Sequence, residues 1–281
     1  MTPESSPATI PNVFRRSYSF TCLLFILASV PFCRAQVQVT STVIDKKTGA
    51  PITDVSAQEF HAEDDKSGRK IESVEFKTEP MDSMLLVDAS LVGESVRPVV
   101  RYFIEQLQPK EEMALVGYAG SASLIQDFTA SQELLKRALT TIKYGGEPRA
   151  MDALYAAIDS GFSNSTYRRV IFLLTTGYEG NSSQRDRDVV ALARKNGVTI
   201  CPVYLVGAER STFESLAAKT GGASFRLNAK HLETLRDDVP RIVKAIRGHY
   251  LVTIQGNRAV GEKFRLTVDR PKLSVSALPL D

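Results

Sequence analysis

The sequence predicts an α/β fold. It should be a doubly wound, mostly parallel sheet flanked by helices, with a small β unit built from the segments on either side. Three observations carry this. From Met84 onward, apolar strand-like runs alternate with amphipathic helical stripes. The first such run, Met84-Leu85-Leu86-Val87, is continuously apolar, as a strand covered on both faces must be. Before Lys77 and after Gly248 the pattern changes to period two, the mark of half-buried strands.

The elements follow in chain order. Residues 1–35 carry Arg15 and Arg16, then the apolar run TCLLFILASVPF, then Cys33-Arg34-Ala35. A charged start, an apolar middle and a small-x-small end describe a secretory signal peptide cut before Gln36, with an N-terminal membrane anchor as the alternative. Residues 37–44 (VQVTSTVI) alternate as a strand, and residues 71–76 (IESVEF) do so again. Helical spacing of Val96, Val99, Val100, Phe103 and Leu107 predicts a helix after the MLLVDAS strand. Residues 111–120 read as a strand and 132–142 as a helix. Met151, Leu154, Tyr155 and Ile158 form a second helical stripe, with Asp152 near its N-terminus to favour the helix dipole. Strands are expected at 170–174, 199–206 and 223–227. Helices are expected at 186–195, closed by Asn196-Gly197, and at 212–219, stopped by Gly221-Gly222. A last helical stripe runs from Leu232 to Ile246, with Pro240 expected to break it. YLVTIQG and KFRLTV then read as a hairpin about Asn257 and Gly261, followed by LSVSAL. The expected organisation is a signal peptide over 1–35, an N-terminal β segment over 36–79, the α/β domain over 80–247 and a C-terminal hairpin with further strands over 248–281. The two β segments are expected to pair with one another.

Composition excludes several classes of function. Of 281 residues, 43% are hydrophobic and 24% charged, which suits a globular chain with a core of ordinary size. The net charge of +3 gives no case for nucleic-acid binding, and part of it lies in the leader. Three cysteines rule out a disulfide-dense scaffold; after leader removal only Cys201 remains, in an apolar strand, and it reads as a buried core thiol. His61, His231 and His249 lack the spacing of a zinc site. There is no Gly-x-Ser-x-Gly elbow, no phosphate loop and no Gly-x-Gly-x-x-Gly after a strand, so a hydrolase or nucleotide-binding domain is a remote reading.

In an open α/β sheet the ligand crevice lies beyond the carboxyl ends of the strands. Three loops fall there: 88–92 (DASLV), 145–149 (GGEPR) and 175–179 (TTGYE). In MLLVDAS, GGEPRAMDALYAAI and VIFLLTTGYEGNSS, together with the leader-proximal VTSTVIDKKTGAPITDVSAQEF, the chain resembles the von Willebrand factor A-type domain. It looks closest to the secreted, A-domain-related proteins of Acidobacteria. The resemblance implies a non-enzymatic, adhesion-type module that binds a protein partner after export to the periplasm or the medium, without membrane insertion once the leader is cut. A metal-independent structural or scaffold protein of the cell envelope is the alternative.

The resemblance also implies a metal-ion-dependent adhesion site. Its pattern is Asp-x-Ser-x-Ser on the first loop, a threonine on the second and an aspartate on the third. Such a set suits Mg²⁺, which takes six oxygens in an octahedron. Asp88 and Ser90 match the pattern. Val92 replaces the second serine, Pro148 the threonine and Thr176 the aspartate, so the expected site is degenerate. Any weak binding of Mg²⁺ or another divalent cation would rest on Asp88 and Ser90, with Thr176 and Glu147 as substitute oxygens. Arg149 and Tyr178 on the same loops are candidate anchors of a metal-free interface, because Arg and Tyr are favoured at binding hot spots.

Overall fold

In chain order the strands and helices begin with β1 (Gln36–Ser41), β2 (Val43–Asp45), β3 (Phe60–Asp64), β4 (Ser67–Arg69) and β5 (Ile71–Thr78). The alternating core follows: β6 (Met81–Asp88), α1 (Arg97–Ile104), β7 (Met113–Tyr118), β8 (Ala122–Thr129), α2 (Gln132–Leu139), α3 (Ala150–Ser160), β9 (Arg168–Thr175), α4 (Asp186–Lys195), β10 (Val198–Tyr204), α5 (Ser211–Lys219), β11 (Phe225–Arg226) and α6 (Leu235–Arg247). The chain ends in β12 (Gly248–Gln255), β13 (Arg265–Val268), β14 (Leu273–Val275) and β15 (Leu278–Leu280). This computed structural model describes residues 36–204, 211–228, 232–256 and 259–280. The expected signal peptide, His231 and the turn at Asn257 lie outside the described residues.

The six-stranded core sheet has the order β11-β10-β9-β6-β7-β8 and is parallel apart from β8. Strand pleating sends alternate side chains of β6 to opposite faces. Leu85 and Val87 pack with residues of α1, α2 and α6. Met84 and Leu86 pack with residues of α3, α4 and α5. Both faces are therefore covered, which is why β6, β7 and β10 are buried along their whole length and read as unbroken apolar runs. Phe103 of α1 meets Phe172 of β9 with ring centroids 4.9 Å apart, and Cys201 is a buried free thiol, pushed up to about 12 by burial.

The terminal strands pair as expected. A four-stranded antiparallel sheet has the order β15-β1-β12-β5, and smaller sheets pair β13 with β3 and β14 with β2. Val39, Tyr250, Val252 and Ile254 share a core with Phe60, Phe264 and Leu266. The Tyr250 hydroxyl donates to the Ile52 carbonyl and accepts from the Val55 amide, both at 3.0 Å, stitching the first strands to β12. Because β1 and β5 both flank β12, deleting residues 36–77 leaves that strand with two bare edges. The expected outcome is loss of soluble monomer by sedimentation; a monomeric, fully stable remainder would contradict it.

Two expectations need correction. YLVTIQG and KFRLTV do not form a hairpin: both edges of β12 are already taken by β1 and β5, so β13 pairs with β3 instead. Pro240 does not break the last helix, which continues to Arg247. The missing N–H and ring crowding cost about 3 kcal/mol in a helix interior. That is offset by burying Leu235, Val239, Ile242, Val243 and Ile246 on one stripe. The stretch after Gly120, to which the sequence reading assigns no element, forms β8, an antiparallel edge strand.

Candidate functional site

Strand order reverses at β6, which pairs with β7 on one side and β9 on the other. This is the topological switch point, where an open α/β sheet leaves a crevice beyond its strand ends. Asp88 ends β6, Tyr118 ends β7 opposite it, and Thr175 ends β9.

Backbone hydrogen bonds lace the three expected loops into one surface. Gly145 N donates to Ala89 O at 2.8 Å and Leu91 N to Gly146 O at 3.1 Å, joining the first loop to the second. Ala150 N donates to Glu179 O at 3.1 Å, and Arg149 bridges Gly180, joining the second to the third. Gly180 is required at this junction. Its φ is +72°, and a Cβ there would stand 1.5 Å from Pro148 O. The N-terminus of α3 has no side-chain cap of its own. The third loop supplies one: Ser182 Oγ accepts from Met151 N at 3.1 Å. Asp152, expected only to favour the helix dipole, accepts from Ser183 N and Gln184 N at 2.9 and 2.7 Å.

Within this frame Asp88 is fully buried and its carboxylate is engaged by the protein itself. Oδ1 accepts from Ser90 N at 2.9 Å. Oδ2 accepts from Thr176 Oγ1 at 2.7 Å and from Thr176 N at 3.3 Å. The threonine in the place of the family's aspartate thus binds the first-loop carboxylate directly. Gly93 packs so closely that a Cβ would lie 2.2 Å from Asp88 O. Thr175 Oγ1 is taken by Gly177 N at 3.0 Å. The buried Ser90 Oγ is without a hydrogen-bond partner among the described residues. Burial, then the Asp88 charge, pushes the Tyr118 phenol far up, so it stays neutral.

These residues do not fit a divalent cation of the expected kind. Mg²⁺ needs six oxygens in near-ideal octahedral geometry. Asp88 is the only one of the five pattern positions that brings a carboxylate, and both its oxygens already accept hydrogen bonds. Val92 and Pro148 offer no side-chain oxygen, and Pro148 is buried. Glu147 is exposed and makes no hydrogen bond to Asp88 or Ser90. Among the described residues no cluster of three or more His, Cys, Asp or Glu side chains could hold a metal ion.

The surface above Asp88 is apolar instead. Leu91 is 75% exposed, Val92 59% and Tyr178 49%. Arg149 is exposed on the second loop. Of the residues named from the sequence, the structure joins Asp88, Ser90 and Thr176 by hydrogen bonds and leaves Glu147, Arg149 and Tyr178 exposed on the loops. Sequence reading missed the buried Tyr118 beside Asp88, the Ser182 cap and the outward face of Leu91, for which the sequence holds no signal beyond their position at strand ends.

A six-stranded, mostly parallel sheet with helices on both faces and a laced three-loop crevice at its switch point is the von Willebrand factor A fold. The proximal thread matrix protein 1 of the mussel byssus is similar at 19% identity and a TM-score of 0.51, over 61% of this chain and 48% of that one. The same mussel protein with a zinc-occupied adhesion-site motif gives 16% identity and a TM-score of 0.52, over 64% of this chain and 49% of that one. The chain therefore spans about half the length of these mussel proteins. A von Willebrand factor type A protein from Catenulispora acidiphila is similar at 11% identity and a TM-score of 0.50, over 89% of this chain and 74% of that one. No protein-family model matches the sequence, and neither does any curated protein.

Proposed function

We propose that the protein is an exported, adhesion-type protein-interaction module that binds its partner through the three-loop surface without a metal ion. It belongs, on this reading, with the secreted A-domain-related proteins of Acidobacteria, and its metal-ion-dependent adhesion site is degenerate. The observation that carries the reading is the hydrogen bond from Thr176 to Asp88. It holds the first and third loops together where a metal ion would otherwise join them. A rigid platform is thereby kept, while the open coordination position for a partner's carboxylate is lost. Leu91, Val92 and Tyr178 offer apolar contact area in its place, and Arg149 adds a charged donor. Export is supported by the charged, apolar and small-residue sections of residues 1–35. A binding role rather than catalysis is supported by the positions of His61, paired with Asp269, and His249, beside Glu79, neither of which is in the three loops.

The test is capture of a partner from envelope and medium fractions of the source cells, with Mg²⁺ or with a chelator. Capture should be indifferent to the chelator. Tyr178→Ala and Arg149→Ala should each weaken it about tenfold, the loss of an interface anchor. Binding that needs the cation, or that survives both substitutions unchanged, would refute the reading.

A further inference from the structure

At the opposite end of the core sheet, the first residues of β9 face the sheet formed by the terminal strands. A cleft of about 450 Å³ opens there, lined by Lys77, Glu79, Arg168, Arg169, His249 and Gln38 among others. Arg168 is its unusual member. Its Nη2 donates to Ile246 O, near the C-terminus of α6, whose negative dipole end partly offsets the charge. Its Nε and Nη1 are buried and have no hydrogen-bond acceptor among the described residues. A buried guanidinium with two uncommitted nitrogens is unfavourable unless an acceptor reaches it. Glu79 acts on it through space, and the thiol of Cys201, pushed up to about 12 by burial, stays neutral. Besides Arg168, the lining carries the cations Lys77 and Arg169 against the one carboxylate of Glu79, with neutral amide and hydroxyl side chains between them. Arg169 is tied to Asn196 O at 2.9 Å, and Lys77 stands 3.5 Å from the exposed Glu75. The carboxylate of Asp82 behind the 165–167 loop is already filled by Ser165 Oγ, Thr166 N and Tyr167 N. His249 is 4% exposed, its Nε2 lies 3.7 Å from Glu79, and burial followed by the Arg168 charge lowers it to about 4.

We propose that this cleft binds a small oxyanion, the phosphate or carboxylate group of a metabolite-sized ligand, on Arg168 with Lys77 and Arg169 beside it. Arginine suits the task because its planar, permanently charged group presents several donors to such oxygens. The volume admits a molecule with more than the anionic group alone, within the range of small-ligand pockets. The cleft is at the far end of the sheet from the three loops, so its occupancy is independent of the proposed docking surface.

The experiment titrates the full chain with inorganic phosphate and, separately, with succinate. Binding is read by calorimetry, and the His249 imidazole is followed by NMR, its signal assigned with His249→Gln. One saturable site is expected for at least one probe; which probe binds distinguishes a phosphoryl from a carboxylate ligand. Affinity should fall about tenfold or more in Arg168→Gln and about threefold in Lys77→Gln. The bound anion should also raise the His249 titration, because it counters the charge of Arg168. The Lys77 variant and the His249 signal decide the matter if Arg168→Gln does not fold. No saturable binding of either probe up to about 10 mM overturns the proposal. So does binding that both substitutions leave intact, or that leaves His249 unmoved.

Discussion

Glu111→Ala is expected to destabilise the fold by about 3–5 kcal/mol, the largest single loss in the molecule, because it strands a buried arginine. Glu111 is 2% exposed, and its partner Arg247 is 11% exposed in the side chain. Glu111 Oε1 accepts from Arg247 Nε at 2.8 Å and from Met81 N at 3.3 Å. Oε2 accepts from Arg247 Nη2 at 2.6 Å and from Gln108 N at 3.1 Å. One carboxylate thereby ties the start of the central strand β6, the turn before β7 and the end of α6. Alanine removes all four acceptor contacts at once and leaves Arg247 with the carbonyl of Gln106. Glu111→Gln keeps the shape and should cost less. The double variant Glu111→Leu, Arg247→Leu should recover much of the loss, since no charge is then stranded. Denaturant unfolding measures this as a lowered midpoint at constant slope. A loss below about 1 kcal/mol would mean that the pair behaves as a solvated surface bridge.

Asp88→Ala comes second, at about 3 kcal/mol, and it bears directly on function. The substitution leaves Thr176 Oγ1, Thr176 N and Ser90 N without their acceptor in a buried place, and hydrogen bonds to a charged group are the stronger kind. Thr176→Val should cost about 1–2 kcal/mol by losing the hydroxyl contact alone. The two residues should show a coupling of about 1 kcal/mol or more in a double-mutant cycle. A carboxylate waiting for a metal would behave in the opposite way. Without the cation, removing it would relieve an unpaired charge and stabilise the protein, with no coupling to Thr176.

Much of this architecture is legible in the sequence. The continuous apolar runs announced strands covered on both faces, and the helix of residues 186–195 follows from its stripe and the Asn196-Gly197 stop. What failed was the competition between local and distant pairing. YLVTIQG and KFRLTV look like hairpin neighbours, but a strand has two edges, and β1 and β5 occupy both edges of β12. Nothing local to those residues encodes that. Strand β8 was hidden for another reason: as an edge strand it is only half covered, Leu124 is 62% exposed, and its polar residues blur any alternation. At the site, sequence pattern named Asp88, Ser90 and Thr176 as neighbours through resemblance alone. It could not show that Thr176 would close on Asp88, because that depends on where two strand ends, far apart in the chain, come to rest. The exposure of Leu91 and Val92 was equally invisible: the sequence puts both on a strand-end loop but carries no signal for which way they face.

On the proposed reading, hydrogen bonding within the protein has replaced a cation at the head of the three loops. Calorimetric titration of the chain with Mg²⁺, Mn²⁺ and Ca²⁺, repeated on Asp88→Ala, tests it most directly. No saturable heat is expected in either protein up to about 10 mM metal, since Ser90 Oγ, the one pattern oxygen without a partner, cannot by itself supply the six oxygens a hard cation requires. Specific binding in the unaltered chain that disappears with Asp88 would contradict it.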